Sequence, residues 1–139
     1  MTIFDKLIDL IEPLKTNEAG EWIFDNEHSG TKDDPKQMPF VHYSDVVMTL
    51  ISEVGNFVDA NPDYNLTHYN ELLNERGLKW NHQSLEEADV SEMDAQGILA
   101  MLVGLIRGER FCEGALMGAC KSGSVVRWLE RLKTIIEQN

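Results

Sequence analysis

Ser91-Glu92-Met93-Asp94-Ala95-Gln96-Gly97-Ile98-Leu99-Ala100-Met101-Leu102-Val103-Gly104-Leu105-Ile106-Arg107-Gly108 is the stretch whose reading decides the fold. Met93, Ile98, Leu99, Met101, Leu102, Leu105 and Ile106 recur at helical spacing behind a polar Ser-Glu-Met-Asp opening. The spacing predicts one strong helix over about 92–108. Its apolar run, Ile98 to Ile106, is too short for a bilayer, since a spanning helix needs about 18–20 such residues.

Downstream, a further helix is expected at about 110–120, ending near Ser122-Gly123. Ser124 then caps a last helix carrying Val125, Trp128, Leu129, Leu132, Ile135 and Ile136. Upstream, Ser84-Leu85-Glu86-Glu87 has a capping-box pattern sufficient for a single turn. Thr67 caps a helix with Tyr69, Leu72, Leu73 and Arg76, and Gly77 stands where a helix-ending glycine belongs. Ser44 caps a longer helix with Val46, Val47, Leu50, Ile51, Val54, Phe57 and Val58, which ends near Ala60 because Asn61-Pro62 follows. Thr2 and Asp5 form a capping-box pattern ahead of Phe4, Leu7, Ile8, Ile11 and Leu14, predicting a helix over about 3–15 that Pro13 kinks or ends. Residues 16–41 are irregular and acidic. Asp33-Asp34-Pro35-Lys36 reads as a turn, and Trp22-Ile23-Phe24 reads as a plug at the core edge in preference to a short strand. No segment alternates with period two for long.

The expected fold is therefore all-α: about six helices around a single core, one domain over residues 1–139, with close glycine-rich packing of the C-terminal helices. Gly97, Ala100, Gly104 and Gly108 form one small-residue stripe, and Gly114, Ala115, Gly118 and Ala119 form another. Glycine costs a helix roughly 0.5–1 kcal/mol relative to alanine, so such stripes suggest that another backbone comes close. The leading reading is a close crossing of these two helices; a homodimer seam and a glycine-lined pocket are the alternatives.

The 139 residues carry a net charge of −12, unevenly spread. Residues 1–106 hold 20 acids and 6 bases, whereas residues 107–139 hold 4 acids and 6 bases. Such a chain repels double-stranded nucleic acid. Its acidic face, built from Glu18, Glu21, Asp25, Glu27, Asp33 and Asp34, suits the docking of a basic protein surface. The opening Met-Thr-Ile-Phe-Asp-Lys lacks the pattern of a signal peptide, which implies a cytoplasmic protein with two reduced thiols, Cys112 and Cys120.

No metal-binding spacing links His28, His42, His68 and His82 to one another or to either cysteine, and no cofactor motif is present, so neither metal nor cofactor is expected. The densest chemistry lies in Arg107-Gly108-Glu109-Arg110-Phe111-Cys112-Glu113. Arg107 and Arg110 can clamp a phosphate or carboxylate, extended by Lys121, Arg127 and Arg131, and Cys112 near a helix start can react as thiolate. The plainer reading is an ion-pair network of Arg107, Glu109, Arg110 and Glu113 fixing a helix junction, with Cys112 a small buried apolar residue. Trp22, Trp80 and Trp128 read as core or core edge, and Tyr43, Tyr64 and Tyr69 as candidate pocket walls.

Glu109-Arg110-Phe111-Cys112-Glu113-Gly114-Ala115-Leu116, followed by Val126-Arg127-Trp128-Leu129-Glu130-Arg131-Leu132, resembles a family of small uncharacterised bacterial proteins grouped as a domain of unknown function, DUF6508. Phe40-Val41-His42-Tyr43-Ser44 and Glu87-Ala88-Asp89-Val90 add to the resemblance, which covers roughly Pro39 to Leu132. It implies a bacterial, cytoplasmic, helical protein, transfers no catalytic residue, and points to Phe111–Leu116 as the segment to inspect first. Without a catalytic motif, the sequence favours a non-catalytic interaction protein, an inhibitor or regulator that binds a basic partner. The rivals are a small-anion binder or enzyme at Arg107, Arg110, Cys112 and Glu113, and a structural homodimer.

Overall fold

Every residue from Gly97 to Leu105 is buried in a computed structural model of the chain, which describes residues 2–24, 27–35 and 38–138. These residues belong to α6 (Ala95–Gly108), and a helix that is apolar on all sides must lie inside the fold. Around it stand α1 (Asp5–Ile8), α2 (Ile11–Thr16), α3 (Asp45–Ala60), α4 (Tyr69–Glu75), α5 (His82–Glu87), α7 (Ala115–Ser122) and α8 (Ser124–Glu137). A two-stranded sheet, β1 (Gly20–Ile23) with β2 (Phe40–Tyr43), completes a predominantly helical architecture. The buried apolar residues form one cluster, with Trp128, Leu129 and Leu132 of α8 fully enclosed.

Local chemistry explains the element ends. Asp94 caps α6 by accepting the Gly97 N–H at 3.1 Å. The same carboxylate receives both arms of the Arg76 guanidinium at 2.9 Å, which binds the end of α4 to the start of α6. Gly77, at φ +77°, ends α4 in a Schellman turn: its N–H reaches the Asn74 carbonyl and the Leu78 N–H reaches that of Leu73. Phe4, Phe57 and Tyr64 join α1, α3 and the turn after it, with ring centroids 5.2–6.1 Å apart. Lys15 meets Glu130 at 2.9 Å between α2 and α8.

Several sequence expectations are corrected. The helix expected over 3–15 is two short helices. The break precedes Pro13, which sits in the first turn of α2, where an N–H has no intrahelical acceptor to lose. Trp22 and Ile23 are strand residues, in antiparallel register with Val41 and Phe40. Four-residue strands are too short to show alternation, and their partners lie 16 or more residues away. A turn stands at Thr31–Asp34, where Asp34 accepts the Ser29 N–H, and the turn expected at Asp33–Lys36 runs into Lys36, outside the described residues. Asn81, not Ser84, caps α5 by accepting the Ser84 N–H at 2.8 Å. The helix expected over 110–120 begins only at Ala115, because residues 109–114 form a chain reversal closed by Gly114 at φ +94°.

The glycine stripe of α6 also has a different partner from the one expected. A Cβ on Gly104 would meet Trp80 Cδ1 at 3.3 Å and Leu73 Cδ1 at 3.4 Å. Trp80 donates its indole N–H to the Gly104 carbonyl at 2.8 Å. The stripe thus receives α4 and the Trp80 ring, not α7. Gly104 is covered, and Gly118 of the second stripe is exposed.

Candidate functional site

The Phe111–Leu116 segment holds the junction between the helical body and the sheet. After α6, the Phe111 and Cys112 N–H groups both donate to the Gly108 carbonyl, turning the chain sharply. The Glu109 carboxylate then lies across the start of α7. It accepts the Gly114 N–H at 3.0 Å, the Leu116 N–H at 3.1 Å and the Tyr43 hydroxyl at 2.6 Å. A carboxylate here satisfies backbone donors that the helix leaves free and faces the positive end of its dipole. Tyr43 accepts the Met117 N–H in return at 3.3 Å. Burial first, and the facing Glu109 second, push the Tyr43 phenol far above its usual range, so it acts only as a neutral hydrogen-bonding link.

Two further contacts fasten the sheet to this reversal. Glu113 accepts the Val41 N–H at 3.2 Å. The Trp22 ring lies on Gly114, where a Cβ would come within 2.6 Å of Trp22 Cζ2; glycine is thus required by both the approach and the positive φ.

The structure therefore distributes the expected cluster among separate tasks. Glu109 and Glu113 bind backbone and Tyr43 instead of the arginines, so the expected ion-pair network is absent among the described residues. Arg107 is exposed and borders a shallow groove against Ile51, Val58 and Asp59 of α3. Arg110 is exposed, and its side chain has no partner among the described residues. Cys112 is exposed, contrary to the buried reading, and stands at the edge of a different cleft, beside Trp80 and Phe111. Arg110, Cys112 and Glu113 thus share the 109–114 reversal, Arg107 precedes it on α6, and the four do not line one cavity. Arg127 and Arg131 do not extend an anion site: they donate to the Glu86 and Met93 carbonyls at 2.8 and 3.0 Å. Lys121 borders a hollow that it shares with Glu18. Cys120 is half-buried, and burial followed by Glu109 pushes its thiol up to about 11.

The acidic candidates gather on the sheet side. Glu18, Glu21, Glu27 and Asp33 are exposed, and Asp34 is half-buried in the Thr31–Asp34 turn. Asp25 lies outside the described residues, as does the His82 side chain. Large exposed apolar side chains share the region: Phe24 is 60% exposed, Met38 81% and Phe40 40%. Phe24, expected from the sequence as part of a core-edge plug, is instead exposed, and Met38 and Phe40 were not expected to be uncovered. An amphipathic four-residue strand carries no sign of which residue its outer face leaves uncovered. Among the described residues, no group of three or more His, Cys, Asp or Glu is placed to hold a metal ion, and no helix is long and apolar enough to cross a membrane.

The fold is a helical body with a small two-stranded sheet fastened at the 109–114 reversal. The model of a family of unknown function, DUF6508, matches residues 2–138, and the chain belongs to that family. No curated protein and no solved structure matches it.

Proposed function

We propose that the protein is a non-catalytic interaction module whose sheet side binds a basic protein surface that also offers apolar side chains. One observation carries this reading: the exposed Phe24, Met38 and Phe40 stand in the same segment as the acids Glu18, Glu21, Glu27 and Asp33. Residues paired directly across an antiparallel ladder share a face, so Ile23 with Phe40 and Glu21 with His42 point the same way. That face is opposite the one bearing Trp22, Val41 and Tyr43, which is turned to α7. Uncovered aromatic and methionine side chains beside exposed acids are the composition of a docking site. The surrounding acids supply long-range attraction for a positive partner.

Affinity capture from cells that make the protein tests this, using wild type, Glu21→Lys with Asp33→Lys, and Phe40→Ser. The expected result is one protein held by wild type, released as salt rises from about 50 to 300 mM, and lost from both variants. Capture that ignores salt and survives both substitutions overturns the reading.

A further inference from the structure

A cleft of about 240 Å³ opens on the other side of the 109–114 reversal. Trp80, Leu85, Phe111 and Ala115 wall it beside Gly108 of α6, and Gly104 borders it beneath the Trp80 ring. None of its lining residues carries a charge. Phe111 is 80% exposed although its ring meets Trp80 edge to face, with centroids 5.9 Å apart, so much of its ring is uncovered beside the opening. Asn81, at the mouth, uses its Oδ1 to cap α5. That leaves the two N–H donors of its amide without a partner among the described residues.

We infer that this cleft binds an uncharged, planar ring compound of one or two fused rings carrying one hydrogen-bond acceptor. Size sets the ring count, because a cavity of about 150 Å³ already holds benzene. The aromatic walls and the open space over Gly108 favour a flat ligand that offers ring edges and faces. The uncharged lining excludes an ionised ligand, whose charge would lose water without gaining a partner. The free Asn81 amide calls for an acceptor such as a carbonyl oxygen. This site is separate from the sheet face and stands or falls independently of it.

Coumarin is a suitable probe, being flat, bicyclic and neutral with one carbonyl group. It is titrated into the full chain while backbone amide shifts are followed by NMR. The expected result is saturable one-to-one binding, with shifts centred on Gly104, Gly108, Phe111 and Ala115. A Cβ at Gly108 would meet only Trp80 Nε1, at 3.8 Å, so a side chain fits there and fills the cleft. Gly108→Val should weaken coumarin about tenfold or more; should that variant not fold, Gly108→Ala should weaken it about threefold. Asn81→Asp keeps a good helix cap but removes the donor, and should weaken binding about fivefold. The carboxylate 2-naphthoate should bind about tenfold less tightly than coumarin. The inference is overturned by the absence of saturable shifts up to coumarin's solubility, by shifts centred elsewhere, by undiminished binding to the folded Gly108 variant or to Asn81→Asp, or by equal affinity for 2-naphthoate.

Discussion

Helix α6 and the β1–β2 sheet are held by different physics. Nine consecutive residues of α6 are buried, whereas no residue of either strand is fully buried. The helix is fixed by apolar area, which is non-directional and distributed over many neighbours. The sheet is fixed by directed contacts: Tyr43 to Glu109, Val41 to Glu113, and Trp22 against Gly114. Area-driven packing leaves few groups over for other tasks. A sheet held from one face by a handful of bonds can leave its other face uncovered, and that is where Phe40 and Glu21 stand.

The largest effect should come from the area-driven region. Leu102→Ala, at a fully buried position of α6, should cost roughly 2–5 kcal/mol. A lower urea midpoint with unchanged slope checks it. A loss below about 1 kcal/mol would mean that the surroundings collapse readily, and that α6 is not the rigid centre of the comparison.

Glu109→Ala should have the next largest effect, about 2 kcal/mol, because it strips the partner from the Gly114 and Leu116 N–H groups and the Tyr43 hydroxyl. Its signature is local. Amide hydrogen exchange should accelerate in β1, β2 and the first turn of α7, while α6 keeps its rank as the slowest segment. Uniform acceleration through the whole chain would show that the sheet and the body unfold as one unit.

This contrast also explains what could be read from the sequence. The core span of α6, the C-terminal ends of α3 and α4, and the apolar face of α8 follow from local periodicity and helix-ending signals, which is why the helical class is legible; the caps expected of Ser44, Thr67 and Ser124 form no side-chain bond to the helix start. The sheet depends on pairing across a long connection and on contacts such as Tyr43 to Glu109, 66 residues apart, which no local pattern encodes. For the same reason Glu109 looked like an ion-pair partner for its neighbouring arginines. Only the chain reversal shows that backbone donors reach it first. The exposure of Cys112 is hidden likewise, because the buried reading rests on the general preference of free cysteine for the interior and no local pattern reveals the reversal.

A smaller effect belongs to Asp94, where a cap and an ion pair coincide. The Arg76 guanidinium holds the Asp94 carboxyl below the ordinary aspartate value of 3.8, helped by the Gly97 N–H and opposed by partial burial. A depressed folded-state value contributes stability that is fully present above the unfolded value, near pH 4, and is lost as the pH falls through the folded one. The Asp94 side chain is 58% exposed, so solvent screens the pair, and about 1 kcal/mol is the expected scale for the cap and pair together. Asp94→Asn should therefore lower stability at pH 7 and flatten its decline below pH 4. An unchanged acid limb in the variant would assign that decline to other carboxylates.

The smallest expected effect discriminates most sharply between the two regions. Phe24→Ser and Phe40→Ser remove large apolar side chains that the fold leaves 60% and 40% exposed. If these uncovered side chains serve docking and not packing, each should change stability by less than about 0.5 kcal/mol, as surface substitutions do. Trp22→Ser, on the inner face against Gly114, should cost clearly more. Urea midpoints of the three variants decide the matter. A cost for Phe40→Ser equal to that for Trp22→Ser would make the outer face part of the structure's own support, and would remove the main ground for assigning it to a partner. Near-neutral values for Phe24→Ser and Phe40→Ser beside a costly Trp22→Ser leave those two aromatic residues without a folding role, on a surface where burial by another protein is the remaining source of favourable free energy.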